Sequence, residues 1–436
     1  MKKRNLIIFV LCLTVAVGIF LITAPLWWKL EKKEIHTVFE PGQIGEKPIR
    51  PLPERPNRKE IVFGASISRS GRFTAESQRM QEGYELWKDW VNSRGGINIG
   101  EGSYKVRIIY RDNKSSPEYV RENVRRLIEE DHVDFLLGPF SSGLTMEASK
   151  VSEKLGVIMV EGCGASETIF AHKTRCTFAT LTSASWYLRG FFKMVCRLEP
   201  KPKTYAVLAK DGLFSRSVAK GARIWAAKGG LEEVYFGVDR ENSDNYTPYL
   251  DEIEKASPDL IVFCGHYKDS IDFTSQLVNT TGVSLEAVVM TLGPTQRDYI
   301  KDLGKAAEGM MGITQWVENT PFRCPVFGST KIYVELFVDK FGNRPTYQNA
   351  QSSACGVVYQ LALERCRSLN ASQVLKEIRR LDRETFYGRI RFDSRGMNIG
   401  KEMAIVQIQG GMRRTIWPQE LADASPVFPI KTKVQR

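Results

Sequence analysis

The sequence predicts an α/β protein of two doubly wound, Rossmann-like lobes, and three observations carry that prediction. Between Glu60 and Phe170, strands of the buried type alternate with amphipathic helices. A second set of the same design begins at Thr204. Strand–helix alternation of this kind builds a parallel sheet covered on both faces, and the 436 residues exceed one ordinary core. Most strands of the first set also run into loops of small, hydroxyl-bearing residues. In an open parallel sheet, loops at the carboxyl ends of strands are where ligands bind.

The elements follow in order. Lys2-Lys3-Arg4 precedes a charge-free apolar run, Leu6–Trp28, long enough to span a bilayer as a helix. Basic residues before it place the N-terminus in the cytoplasm and the remainder outside. Residues 1–35 therefore read as an uncleaved transmembrane anchor, with Trp27 and Trp28 at the interface, or as a cleaved signal peptide. Residues 36–57 contain Pro41, Pro48, Pro51, Pro53 and Pro56 and read as an extended, semi-rigid spacer.

Ile61–Ile67 is the first strand, and Ser68-Arg-Ser-Gly-Arg72 its polar loop. A helix over Thr74–Ser93 follows, with Met80, Tyr84, Trp87 and Val91 on one stripe, and stops at Gly95-Gly96. Val106–Tyr110 is a strand, the helix after Pro117 carries Val120, Val124, Leu127 and Ile128, and His132 starts the next strand. Phe135-Leu-Leu runs into Gly138–Gly143, a helix covers Ser142–Leu155, and a strand from Val157 ends in Gly162–Glu167. The stretch Thr180–Lys203 joins the two sets.

The second set has strands at Tyr205–Ala209, Glu233–Gly237, Leu260–Cys264 and Ala287–Thr291. Helices fill the gaps at Ser215–Lys228, Thr247–Ala256 and Ser270–Val278. After Gly312–Trp316, two helices are expected, Thr330–Phe341 and Gln348–Arg367. Gly388–Phe392 and Ala404–Ile408 read as antiparallel strands, with a turn at Gly410-Gly411.

The composition is that of a folded globular protein, 42% hydrophobic and 26% charged. Net charge is +12, but outside Lys2-Lys3-Arg4 the basic residues are dispersed, which favours a solvated surface over a nucleic-acid interface. Of eight cysteines no two form a C-x-x-C pair, so zinc and thioredoxin readings lack support. Cys163 and Cys176 read as a possible disulfide or as buried free thiols.

There is no phosphate-binding glycine loop, no H-E-x-x-H and no G-x-S-x-G elbow. His36, His132, His172 and His266 have no neighbour at metal-ligand spacing. A binder without cofactor is therefore expected rather than an enzyme. The Ser141-Ser142-Gly143 turn opens a helix, where hydroxyls, free N–H groups and the helix dipole favour a carboxylate. Gly164-Ala165-Ser166 ends a neighbouring strand with the same chemistry.

At these residues the chain resembles a known family. Ile67-Ser-x-Ser-Gly-Arg-Phe73, Gly95-Gly96-Ile97, Leu137-Gly-Pro-Phe-Ser-Ser-Gly143, Gly164-Ala-Ser-Glu167 and Gly388-Arg-Ile-Arg-Phe-Asp393 look like the extracytoplasmic solute-binding proteins of branched-chain amino acid ABC transporters. The resemblance runs from about Glu60 to about Pro429. It implies a type I periplasmic-binding-protein fold whose chain crosses between lobes three times. Lobe one would then be residues 58–181 plus 318–381, lobe two 182–317 plus 382–429, and 430–436 a tail.

The resemblance also implies a ligand in the interlobe cleft and an ABC permease that recognises the closed form. Phe73, Ser141, Ser142, Gly164, Ala165 and Ser166 would contribute from lobe one, and Trp186, Phe214, Tyr267 and Thr295 from lobe two. The family's acidic partner for a ligand ammonium should follow Gly293-Pro294, where this chain has Thr295-Gln296. That departure favours a carboxylate with an apolar or neutral polar tail over a zwitterion, with Glu76, Glu161 and Glu167 as other sources of the charge. The expected function is the capture of an amino acid or related organic carboxylate for transport. The alternative is a sensory domain of the same fold without a transporter.

Overall fold

Residues 49–171, 174–240, 243–279 and 287–430 are described by the computed structural model of the chain. The apolar run Leu6–Trp28 lies outside them. Among the described residues no helix is long and apolar enough to cross a membrane.

The first lobe is built on seven strands: β1 (Glu60–Ile67), β2 (Ile97–Ile99), β3 (Gly102–Asp112), β4 (Phe135–Leu137), β5 (Met159–Glu161), β6 (Thr177–Thr182) and a late arrival, Met397–Asn398. Their spatial order is Met397–Asn398, β6, β5, β4, β1, β3, β2. All neighbours pair in parallel except β2 and β3, a hairpin. The crossovers are α1 (Thr74–Ser93), α2 (Pro117–Glu129) and α3 (Ser142–Leu155). The predicted stripe of α1 is fully inward, with Met80, Tyr84 and Trp87 at 0% exposure. The helix ends where expected because Gly96 takes φ +113° and a Cβ there would lie 2.3 Å from the Tyr104 carbonyl oxygen.

The second sheet contains β7 (Thr204–Lys210), β8 (Glu232–Asp239), β9 (Leu260–Cys264), β10 (Ala287–Met290), β11 (Met311–Thr314) and two final strands, Ala404–Gln409 and Met412–Trp417. Both final strands run antiparallel, the first of them against β11. The helices of this part are α4 (Arg189–Val195), α5 (Leu213–Gly229), α6 (Thr247–Ala256), α7 (Tyr267–Asn279) and α8 (Asp298–Leu303). Two further helices, α9 (Thr330–Phe341) and α10 (Tyr347–Cys366), return to the first lobe. Glycines let α10 close onto α1: a Cβ on Gly356 would overlap the Trp87 indole at 1.9 Å, and one on Gly83 would meet the Asn349 carbonyl oxygen at 2.2 Å. Tyr359 on α10 also reaches under the sheet, donating to the carbonyls of Leu136 and Ile158.

The structure revises several expectations. Thr180–Lys203 is not a plain connector, because its start completes β6 and its middle forms α4. A return to lobe two at residue 382 would put Met397–Asn398 in the second sheet, whereas these residues pair with β6 of the first. His132 does not start a strand. It sits at φ +51° in the turn before β4. Part of the expected spacer is laid against the first lobe: Asp134, with its side chain fully buried, takes Arg55 at 2.6 Å and Arg58 at 2.8 Å. Arg50 N–H reaches the Gly156 carbonyl. Cys163 and Cys176 are free thiols, as are the other described cysteines.

Candidate ligand-binding cleft

The first wall is the N-terminus of α3. Its earliest intrahelical bond is from Thr145 N–H to the Ser141 carbonyl at 2.9 Å, so the N–H groups of Ser142, Gly143 and Leu144 precede the helical ladder. Ser141 is held at φ +79°, ψ 151°, a region that a residue with a Cβ enters at a cost of about 1–3 kcal/mol. Such strain is typical of loops shaped for a ligand. Ser142 and Ser166 are brought together, the Ser166 N–H donating to the Ser142 hydroxyl at 3.1 Å. Gly164 lets that loop lie against α3, since a Cβ there would sit 2.7 Å from the Thr145 Cβ. Ala165 is buried, and its carbonyl accepts from Ala184 at 2.7 Å.

The second lobe closes against this wall. The Ser166 hydroxyl meets the Ser217 hydroxyl of α5 at 2.7 Å. Phe73 and Phe140 pack at 5.4 Å from each other, and both rings pack on His266 of the second lobe, at 5.5 and 6.0 Å. Phe214 also lies 5.5 Å from His266, and Tyr187 stands 5.3 Å from Phe214. Burial pushes His266 down to about 4, opposed by Asp269 and reinforced by Arg72. Its ring is therefore neutral at pH 7, and Nδ1 has no partner among the described residues.

At the other end of the cleft, Arg79 of α1 reaches across to Asp298 of α8 at 3.1 Å. Thr295 and Gln296 are buried, as their neutral chemistry suggests, and bond to each other at 3.3 Å. A narrow cavity of about 10 Å³ adjoins Thr295, Tyr347 and Arg413. A furrow of about 730 Å³ lies elsewhere, between Ile49–Arg58 and Leu369–Ser372, and none of the cleft residues lines it.

The three carboxylates weighed from sequence separate cleanly. Glu161 accepts from the N–H groups of Cys163 and Gly164 at 2.7 and 2.6 Å, which fixes the serine loop. Burial raises it to about 8 against the pull of those two bonds. Glu167 accepts from Ser185 N–H at 2.9 Å. Glu76, one turn before Arg79 on α1, is 7% exposed, and its carboxyl is raised by burial against the opposing pull of its own backbone N–H, Arg79 and Arg72.

Not every expected lining residue faces this cluster. The Tyr267 hydroxyl donates to Asp302 at 2.5 Å on its own lobe, and the Trp186 ring packs under the Arg189 guanidinium at 5.0 Å. Tyr187, its neighbour, is the aromatic that meets Phe214. Phe140 and His266 were legible as strand-end residues: Phe140 sits within the Gly138–Gly143 loop, and His266 follows β9 by two positions.

The crossing segments are tied behind the cleft. The Gln315 amide bonds both N–H and C=O of Thr182, at 3.0 and 3.1 Å. The Lys401 ammonium donates to the carbonyls of Gln315 and Tyr387. Tyr187 also bonds Gln315, which links the hinge to the aromatic wall.

With this geometry in place, the chain can be compared with known proteins. The family model for periplasmic binding proteins matches residues 60–412. A Leu/Ile/Val-binding protein homolog from Brucella suis is 25% identical over 398 residues, covering 86% of this chain and 95% of its own. The fold superposes on a branched-chain amino acid transporter substrate binding protein from Streptococcus pneumoniae in complex with isoleucine, with TM-score 0.71 and 18% identity over 85% of this chain and 100% of that one. It also superposes on an ABC transporter solute binding protein from R. palustris in complex with benzoate, with TM-score 0.70 and 15% identity over 82% of this chain and 95% of that one.

Proposed function

Because the chain belongs to the periplasmic binding protein family, of the type that serves branched-chain amino acid ABC transporters, we propose that it captures an amino acid or related small organic carboxylate between its lobes and presents it to an ABC permease. The family is one of solute binders rather than enzymes. The observation that carries this reading is the pairing of Ser142 with the Ser166 loop at a helix N-terminus, capped from the opposite lobe by Ser217. Two hydroxyls, first-turn N–H groups and the positive end of the α3 dipole together suit a carboxylate.

The rest of the cleft suits the ligand's body. Phe73, Phe140, Phe214 and neutral His266 form an apolar enclosure for an alkyl chain or ring. An ammonium, where the ligand has one, meets Glu76, because Glu161 holds the Cys163-Gly164 loop and Glu167 holds Ser185. Lobe closure brings these groups onto the ligand together and makes the shape a permease recognises.

Calorimetry on Ser142→Ala tests the reading. The substitution is expected to weaken binding by about 1–3 kcal/mol, the cost of removing a hydrogen bond to a charged group. Unchanged affinity would move the carboxylate elsewhere. Small-angle scattering should show the protein contract on ligand addition, and a ligand that binds without contraction argues against capture by closure.

A further inference from the structure

Buried polar groups are nearly always hydrogen-bonded, and each exception asks for an explanation. Several exceptions lie at the end of the cleft away from the aromatic wall. Gln348, at 0% exposure, has no partner at either amide atom among the described residues. The same holds for Arg79 Nη1 and for Gln296 Oε1.

These groups come from three elements that converge. Asn349, next to Gln348, donates to the Arg79 carbonyl at 2.7 Å, which holds the start of α10 against α1. Arg79 Nη2 reaches Asp298, two residues past Gln296, at 3.1 Å. Tyr347, before Gln348, lines the narrow cavity together with Thr295 of the second lobe. One turn further along α10, Gln351 donates to Cys163 at 3.2 Å, so this helix face looks onto the loop that carries Ser166. Helical side chains lean toward the N-terminus, so Gln348, second residue of α10, leans toward the end of that helix which meets α1 and the second lobe.

We propose that the ligand ends in a neutral group that both accepts and donates hydrogen bonds, a primary carboxamide being the simplest, and that Gln348 is the residue that selects it. This rests on the carboxylate reading of the Ser142 end. The inventory of partners decides the chemistry. Arg79 Nη1 and Gln348 Nε2 supply donors, while Gln348 Oε1 and Gln296 Oε1 supply acceptors. An aliphatic end leaves all of them unpaired. A second carboxylate satisfies Arg79 but leaves both glutamine carbonyls unpaired. A carboxamide gives its oxygen to Arg79 Nη1 and Gln348 Nε2 and its N–H groups to the glutamine carbonyls.

The test is calorimetry on the full chain with two matched series: glutamine, glutamate and norleucine, and their deaminated counterparts glutaramate, glutarate and hexanoate. In at least one series the amide member is expected to bind about tenfold or more tighter than the aliphatic one, since sites built around hydrogen bonds reject analogues that lack them. Gln348→Leu should erase that preference and Gln296→Leu should reduce it, with circular dichroism reporting the fold of each. The second variant keeps the test decisive should the first fail to fold. Tighter binding of norleucine or hexanoate than of the amides, or a preference untouched by the variants, overturns the inference and leaves the carboxylate reading standing. If no member of either series binds, the carboxylate reading falls and the inference with it.

Discussion

Glu161→Gln should stabilise the protein increasingly as pH rises from 5 to 8. The Glu161 side chain is fully buried, and one oxygen accepts from both Cys163 and Gly164 N–H groups while the other has no partner among the described residues. Burial raises its carboxyl from 4.5 to about 8. A carboxyl whose folded value lies above its unfolded value contributes fully below 4.5, and that contribution is lost as pH climbs toward 8. Each pH unit separating the folded from the unfolded value is worth about 1.4 kcal/mol, so the loss approaches roughly 4–5 kcal/mol as an upper bound. Glutamine reproduces the protonated carboxyl: it keeps an oxygen for the two N–H groups and never ionises. Urea denaturation of both proteins across pH 4 to 9 measures the effect. The stability difference should grow by about 1.4 kcal/mol per pH unit inside the window and level off outside it. Other titrating groups cancel in that difference. A difference that stays flat, or that shrinks as pH rises, would show that Glu161 ionises normally and refute the argument.

Three further outcomes follow from the same structure. His266, pushed down to about 4, binds fewer protons folded than unfolded, so the protein should lose stability as pH falls from 6.5 toward 4; His266→Gln should flatten that limb of the thermal-shift profile, and a profile identical to wild type would remove His266 as its cause. Asp134→Ala should leave Arg58, whose side chain is 11% exposed, without its carboxylate and cost roughly 3–5 kcal/mol. Limited trypsin digestion should then cut after Arg58 before the intact protein is cut, since the Arg55-Pro56 bond resists trypsin, and equal protection would mean that the segment is held by its other contacts. Glu76→Gln should weaken binding of amino acids while sparing their deaminated acids in the same calorimeter; parallel losses in both would place Glu76 in the structure rather than on the ammonium.

What the sequence made legible, and what it hid, follows the range of the interactions concerned. The α1 and α3 bounds were read to the residue because apolar spacing, the Gly95-Gly96 stop and the hydroxyl-rich start are settled within one or two turns of chain. Met397–Asn398 was missed because a two-residue strand has no periodicity, and its place in the first sheet depends on β6, far away in sequence. Ser142 and Ser166 were singled out because each follows a strand of the first lobe, and the structure brings the two together. The same rule applied to the second lobe points to His266 after β9, yet a lone histidine there reads equally as a polar loop residue. Only the structure shows Phe73, Phe140 and Phe214 packed around it, so that it sits among aromatic rings. Gln348 lies deeper still beyond the reach of pattern. In sequence it is a polar residue at the start of a helix, where polar residues are ordinary. Its meaning comes from complete burial without a partner, a property that exists only once α1, α10 and the second lobe have met. Residues that build the lobes are thus largely written in local spacing, while those proposed to choose the ligand are defined by contacts across the cleft.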